Sequence, residues 1–154
     1  MRKVTPPARQ LGDLLQEFIS RVAHRSGETL TVMNEASVTL HQVILLGRLV
    51  ELGEPTISEL AIVVGMSLTS VSQMLDRLHR LGLVSRVEVA ADRRRKKIGV
   101  TAAGRKLLSR LGEARSREFE VGLAPLPAPF RAEFTELLGR ALMELERRAV
   151  AALA

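Results

Sequence analysis

From about Ala8 to His24, apolar residues return at steps of three and four: Leu11, Leu14, Leu15, Phe18, Ile19 and Val22. That spacing places one apolar stripe on an α-helix. Residues 26–37 (SGETLTVMNEAS) lose the period and predict a connection, with a short extended piece at Thr29–Val32. Residues 38–52 regain it, with Thr39 placed as N-cap, Gly53 at the C-terminal end and Pro55 just beyond. Thr56 opens a short helix in which Thr56 and Glu59 have capping-box spacing, and Gly65 ends it. Ser67 caps the following helix, which stops at Gly82. The period then falls to two. Val87 and Val89 alternate with Arg86 and Glu88 as a strand, and Ile98 and Val100 around Gly99 form the return strand. The basic stretch Ala90–Lys97 lies between them as the hairpin tip. Thr101 caps a long helix over about 102–121, carrying Leu107, Leu108, Leu111 and Phe119. Gly122–Pro129 breaks it, and a last helix over about 130–150 carries Phe130, Phe134, Leu137, Leu138, Ala141, Leu142 and Leu145. No internal repeat is visible.

Two short helices joined by Gly65-Met66-Ser67 and followed by a basic hairpin make a winged helix-turn-helix. The expected fold is mostly α with a small β-hairpin wing, flanked by N- and C-terminal helices. At about 100° per residue, Val71, Met74, Leu75 and Leu78 share one face of the helix that starts at Ser67. The other face carries Thr69, Gln73, Asp76 and Arg80, with Ser70, Ser72 and Arg77 beside it. Hydroxyls, an amide and guanidinium groups are what base edges and phosphates accept. An ordinary solvated amphipathic face has the same look, so the helix alone leaves both readings open. The hairpin adds weight. Asp92-Arg93-Arg94-Arg95-Lys96-Lys97 brings together five cations that repel one another and give a hairpin no stability. A polyanionic partner accounts for them. An arginine there can enter a narrow minor groove, where the potential is most negative. Asp92 is placed to orient a neighbouring guanidinium.

Composition narrows the choice. The 154 residues are 46% apolar but only 3% aromatic, all of it Phe, so the core is aliphatic. No aromatic platform exists for stacking unpaired bases, which favours duplex over single-stranded nucleic acid. Net charge is +6, and residues 66–97 alone contribute +5 of it. Such concentration suits phosphate neutralisation and counterion release. With no cysteine, disulfides, thiolate metal sites and thiol redox sensing are excluded. His24, His41 and His79 are scattered, with no metal-ligand spacing, and no cofactor is implied. There is no Gly-rich phosphate loop and no nucleophile beside a base, so an enzyme is not expected. MRKVTPPARQ lacks the apolar run of a secretion signal, and no stretch approaches the ~18 apolar residues of a membrane span. A cytoplasmic protein is expected.

Seven short motifs, in order from Val38 to Leu108, resemble the MarR family of bacterial regulators. They are Thr39-x-x-Gln42, Ser58-Glu59-Leu60-Ala61, Ser67-x-x-Ser70-Val71-Ser72, Asp76-Arg77-Leu78, Gly82-Leu83-Val84-x-Arg86, Asp92-Arg93-Arg94 and Val100-Thr101-x-x-Gly104-Arg105. The flanking helices match in pattern only. The resemblance implies a homodimer, with residues 1–37 and 102–154 as dimerisation helices around a DNA-binding region at 38–101, all within one compact domain. It implies double-stranded DNA as partner, at a pseudo-palindromic operator with half-sites roughly 34–36 Å apart. The helix from Ser67 to Arg80 would enter the major groove, with Thr69, Ser70, Ser72, Gln73 and Arg77 meeting the bases there. Arg93, Arg94 and Arg95 would serve the wing, Arg94 being favoured by the motif, with Lys96 and Lys97 on phosphates. Repression relieved by a small phenolic or other aromatic anion is implied as well, with Phe18, Val22, His41, Leu45 and Arg48 as candidate lining residues. A metal-responsive regulator of the same fold, and a winged helix that binds only protein, remain as alternatives.

Overall fold

A computed structural model describes residues 6–23, 27–89 and 92–151, with the side chains of 8–23, 27–85 and 98–151. Its elements are α1 (Pro6–Val22), α2 (Glu28–Glu35), α3 (Leu40–Leu52), α4 (Ile57–Val64), α5 (Leu68–Arg80), β1 (Val84–Val89), β2 (Asp92–Val100), α6 (Ala102–Leu123) and α7 (Ala128–Ala151). The fold is mostly helical with one antiparallel hairpin. Among the described residues, no single helix is long and apolar enough to cross a membrane.

The chain divides into two compact units, Gly27–Arg117 and a second made of 1–26 with 118–154. The first has an aliphatic core. Leu45, Leu46 and Leu49 of α3 meet Leu60 of α4, Val71, Leu75 and Leu78 of α5, and Val84 and Ile98 of the hairpin, all essentially inaccessible to solvent. Leu107, Leu111 and Ala114 of α6 join the same cluster. Fully burying a Leu or Val contributes about 1.5–3 kcal/mol each, so this cluster holds the helix-turn-helix and the base of the hairpin as one body.

In the second unit, Phe18 and Phe134 stack with ring centroids 5.1 Å apart and a 58° tilt. Val22 is buried. A Cβ added at Gly122 would lie 2.3 Å from the Val22 carbonyl oxygen, so only glycine permits this approach of α6 to α1. Arg131 donates to the carbonyls of Ala124 and Leu126, closing the turn into α7. This unit keeps much apolar surface in water. Leu11, Leu14, Leu15, Ile19, Phe130, Leu137, Leu138, Leu142 and Leu145 are all exposed, and no residue of α7 is buried.

One expectation fails. The segment read as a connection with an extended piece at Thr29–Val32 is the helix α2. Its buried residues Thr29, Val32 and Met33 sit at i, i+3 and i+4, a single-turn stripe with a threonine in an apolar place. Gly27, in the left-handed region, starts it. Both ends are tied to α6: Arg117 pairs with Glu28, and Arg110 with Glu35 across 2.7 Å. The hydrogen bond from Arg117 holds the Glu28 carboxyl below its ordinary range. A further difference is smaller: β1 begins at Val84, ahead of the alternation visible at Val87 and Val89.

Candidate nucleic-acid interface

The α4–turn–α5 unit is built from local signals. Thr56 accepts from the Glu59 amide at 3.3 Å, and the Glu59 carboxylate accepts from the Thr56 amide at 2.7 Å. This reciprocal pair is the expected capping box. Gly65 closes α4 at φ +65°, and the Met66 amide reaches back to the Ala61 carbonyl at 3.1 Å. A side chain at that dihedral would be strained, so glycine fixes the turn. Two residues later Ser67 caps α5 by accepting from the Ser70 amide at 3.1 Å. The two helices are bent by 110°, within the usual helix-turn-helix range.

Burial sorts α5 as its spacing predicts. Val71, Leu75 and Leu78 are fully buried and Met74 is half-buried. Ser67, Thr69, Gln73, Asp76, Arg77 and Arg80 are exposed, and Ser70 and Ser72 are half-buried at the margin. The hydroxyls of Ser67 and Ser70 lie 2.8 Å apart, so both serve the start of the helix. The polar face thus runs the length of a helix whose orientation is locked by three core side chains. His79, at its C-terminal end, donates from Nδ1 to the Val84 carbonyl at 3.1 Å. The carbonyl can only accept, so the contact also fixes the proton on Nδ1 and anchors α5 to β1.

The hairpin is set from three sides. The Ile98 amide donates to the Pro55 carbonyl at 3.4 Å, joining β2 to the loop before α4. Thr101 caps α6 by accepting from Gly104 at 3.1 Å, and its hydroxyl donates to the Gly82 carbonyl at 2.7 Å. Arg105 donates to the Val100 carbonyl at 2.6 Å. Along the hairpin, Val84 pairs with Val100 and Arg86 with Ile98. The register then passes from Glu88↔Lys96 to Val89↔Asp92. The basic run therefore lies within β2 and not ahead of it: β2 begins at Asp92, and Arg93, Arg94 and Arg95 occupy an irregularity opposite the Glu88–Val89 step, without partners among the described residues of β1. A continuous run of charge hides strand alternation, because every position is polar. The side chains of Asp92, Arg93, Arg94, Arg95, Lys96 and Lys97 lie outside the described residues.

The candidate effector residues fall in both compact units. His41 and Leu45 line a cavity of about 280 Å³ with Ile44, Val64 and Met66. Arg48 pairs instead with Glu51 on its own helix. Phe18 and Val22 belong to the other unit. His24 lies outside the described residues. No group of three His, Cys, Asp or Glu among the described residues is placed to hold a metal ion.

Residues 36–95 match the MarR family. That segment, which holds the helix-turn-helix and part of the wing, is what the chain shares with the MarR family. No curated protein sequence matches the chain. Among solved structures, the transcriptional regulator Tm0710 from Thermotoga maritima superposes with a TM-score of 0.73 at 21% identity, covering 93% of this chain and 96% of that one. Apo MarR from E. coli gives 0.64 at 20%, covering 92% and 99%. S. aureus MepR in its DNA complex gives 0.60 at 22%, covering 89% and 96%. The MarR-type winged-helix fold therefore extends beyond the matched segment over nearly the whole chain, including the flanking helices that carry no motif.

Proposed function

We propose that this chain is a sequence-specific, duplex-DNA-binding transcriptional regulator that acts as a homodimer in the cytoplasm. The observation that carries the reading is α5: a capped helix, pinned by Val71, Leu75 and Leu78, that turns Thr69, Gln73, Arg77 and Arg80 to solvent. The +5 charge of residues 66–97 supplies the attraction to phosphate. MepR, of the same fold, is described in complex with DNA. In this reading Thr69, Ser70, Ser72, Gln73 and Arg77 meet the major groove, Arg93, Arg94 and Arg95 the minor groove, and Ser67, Arg80, Lys96 and Lys97 the phosphates nearby. The exposed leucines of α1 and α7 support dimerisation through residues 1–37 and 102–154, around the DNA-binding region 38–101.

A duplex library selected with the purified protein tests the reading. Enriched pseudo-palindromes, and an affinity that falls with salt at a log–log slope of about −0.9 per phosphate contact, are expected. Arg94→Ala weakens the selected site by about 1–3 kcal/mol. Equal, weak binding to every duplex would leave only a generic cation. Repression relieved by a phenolic or other aromatic anion is the regulatory half of the proposal, supported by the cavity at His41 and Leu45. Such a ligand must bind the released form more tightly than the DNA-bound form. Calorimetry with a panel of phenolic acids tests it. No heat from the whole panel would point to a constitutive regulator.

A further inference from the structure

The first residue of α5 does not fit a purely polar reading face. Leu68 is 56% exposed, between the Ser67 cap and Thr69. It borders an open hollow of about 410 Å³ at the helix-turn-helix junction, lined also by Ser58, Ala61, Ile62, Gly65 and Met66. Ile62 there is 80% exposed. An apolar side chain left in water this way adds nothing to the core. Its place matters for another reason: the N-terminal residues of a recognition helix are those that reach base edges. One base edge in the major groove is apolar, the C5-methyl of thymine.

We propose that Leu68 is a specificity-determining residue that packs on a thymine methyl in each half-site, with Ile62 walling the hollow behind it. The inference rests on the DNA-binding reading above and adds a base identity to it. Thr69, Ser72 and Gln73 then read the neighbouring donors and acceptors, while Leu68 distinguishes thymine from cytosine by a methyl group rather than by a hydrogen bond. Burial of one methyl is worth roughly threefold to tenfold in affinity.

The experiment uses the full chain and the duplex it selects from a random library, with each thymine replaced in turn by deoxyuridine. This removes the methyl and leaves every hydrogen bond. One thymine per half-site should weaken wild-type binding threefold to tenfold when demethylated. Leu68→Ala should bind the two duplexes equally, and Leu68→Met, which keeps an apolar tip, should retain the difference. Half-sites without a fixed thymine, uniform tolerance of deoxyuridine, or discrimination that survives in Leu68→Ala would each overturn the assignment while DNA binding stands. Failure to enrich or bind any duplex would overturn the DNA-binding reading and this inference with it. Leu68 is exposed and lies outside the core, so the alanine variant is expected to melt with the wild type.

Discussion

Ser37 closes α2 in the left-handed region at φ +54°, a conformation a serine adopts at a cost. The closing bonds force it there: the Val38 amide reaches the Met33 carbonyl and the Ser37 amide the Asn34 carbonyl, a Schellman arrangement. Ser37→Gly should therefore raise stability by about 1 kcal/mol in denaturant unfolding. Gly122 makes the opposite case. Any Cβ there strikes the Val22 backbone, whereas Gly112, on the same helix, faces open space. Gly122→Ala should destabilise by about 1–3 kcal/mol through overpacking. Gly112→Ala should stabilise by up to about 1 kcal/mol through helix propensity. Equal effects at the two sites would show that the contact between α1 and α6 is not tight. Glu144 sets a pH dependence. Hydrogen bonds from Arg147 and Arg148 lower its carboxyl to about 2, below its ordinary 4.5. Because the folded value lies below the unfolded one, the stabilisation is complete above the ordinary value and is lost as pH falls toward 2. A carbon-detected NMR titration should place its midpoint there, and Arg147→Gln should move it upward. The pair is exposed, so salt should weaken the effect.

At the scale of elements, the caps divide the chain into its helices. Thr39, Thr56, Ser67 and Thr101 each hold the first turn of a helix by a side-chain bond to a backbone amide. Thr101 does more, since its hydroxyl also bonds the Gly82 carbonyl and so joins the start of α6 to the entry of β1. Thr101→Ala should cost about 1–2 kcal/mol, Thr101→Ser much less, and thermal melts distinguish them. These caps are legible in the sequence because capping is chemistry between neighbours three residues apart. α2 is not legible. Its apolar stripe is one turn long, includes a threonine, and is stabilised by Arg110 and Arg117, which are more than seventy residues away. The start of β2 at Asp92 is hidden for a related reason: Asp92, Lys96 and Lys97 are placed by their partners Val89, Glu88 and Val87 in β1.

For the whole molecule, the uncovered surface of α7 is the decisive feature. Over its 24 residues none is buried, and Leu137, Leu138, Leu142 and Leu145 lie exposed, the surface that the proposed dimerisation would cover. Dimerisation predicts twice the single-chain mass in light scattering. Replacing Leu138 and Leu142 with Glu should return the single-chain mass and weaken binding to a two-half-site operator to that of a single half-site, because each half then binds alone. An unaltered mass in that double variant would remove α7 from the interface. The residues proposed to face DNA divide along similar lines. Thr69, Gln73, Arg77 and Arg80 could be assigned to one face from period alone, because the opposite face had to be core. Leu68 could not, since apolar spacing gives no sign of an exposed leucine and only its position at the junction with α4 shows it.

The order of helices, the turn at Gly65, the capped helix α5 and the location of the positive charge follow from the sequence, because each rests on interactions within a few residues. The folding of α2, the start of β2 at Asp92, the assignment of Phe18 and Val22 to one compact unit and of His41, Leu45 and Arg48 to the other, and the exposure of Leu68 belong to the tertiary structure. Each depends on which distant segment lies alongside, and burial, pairing and exposure are properties of the packed chain rather than of any window along it.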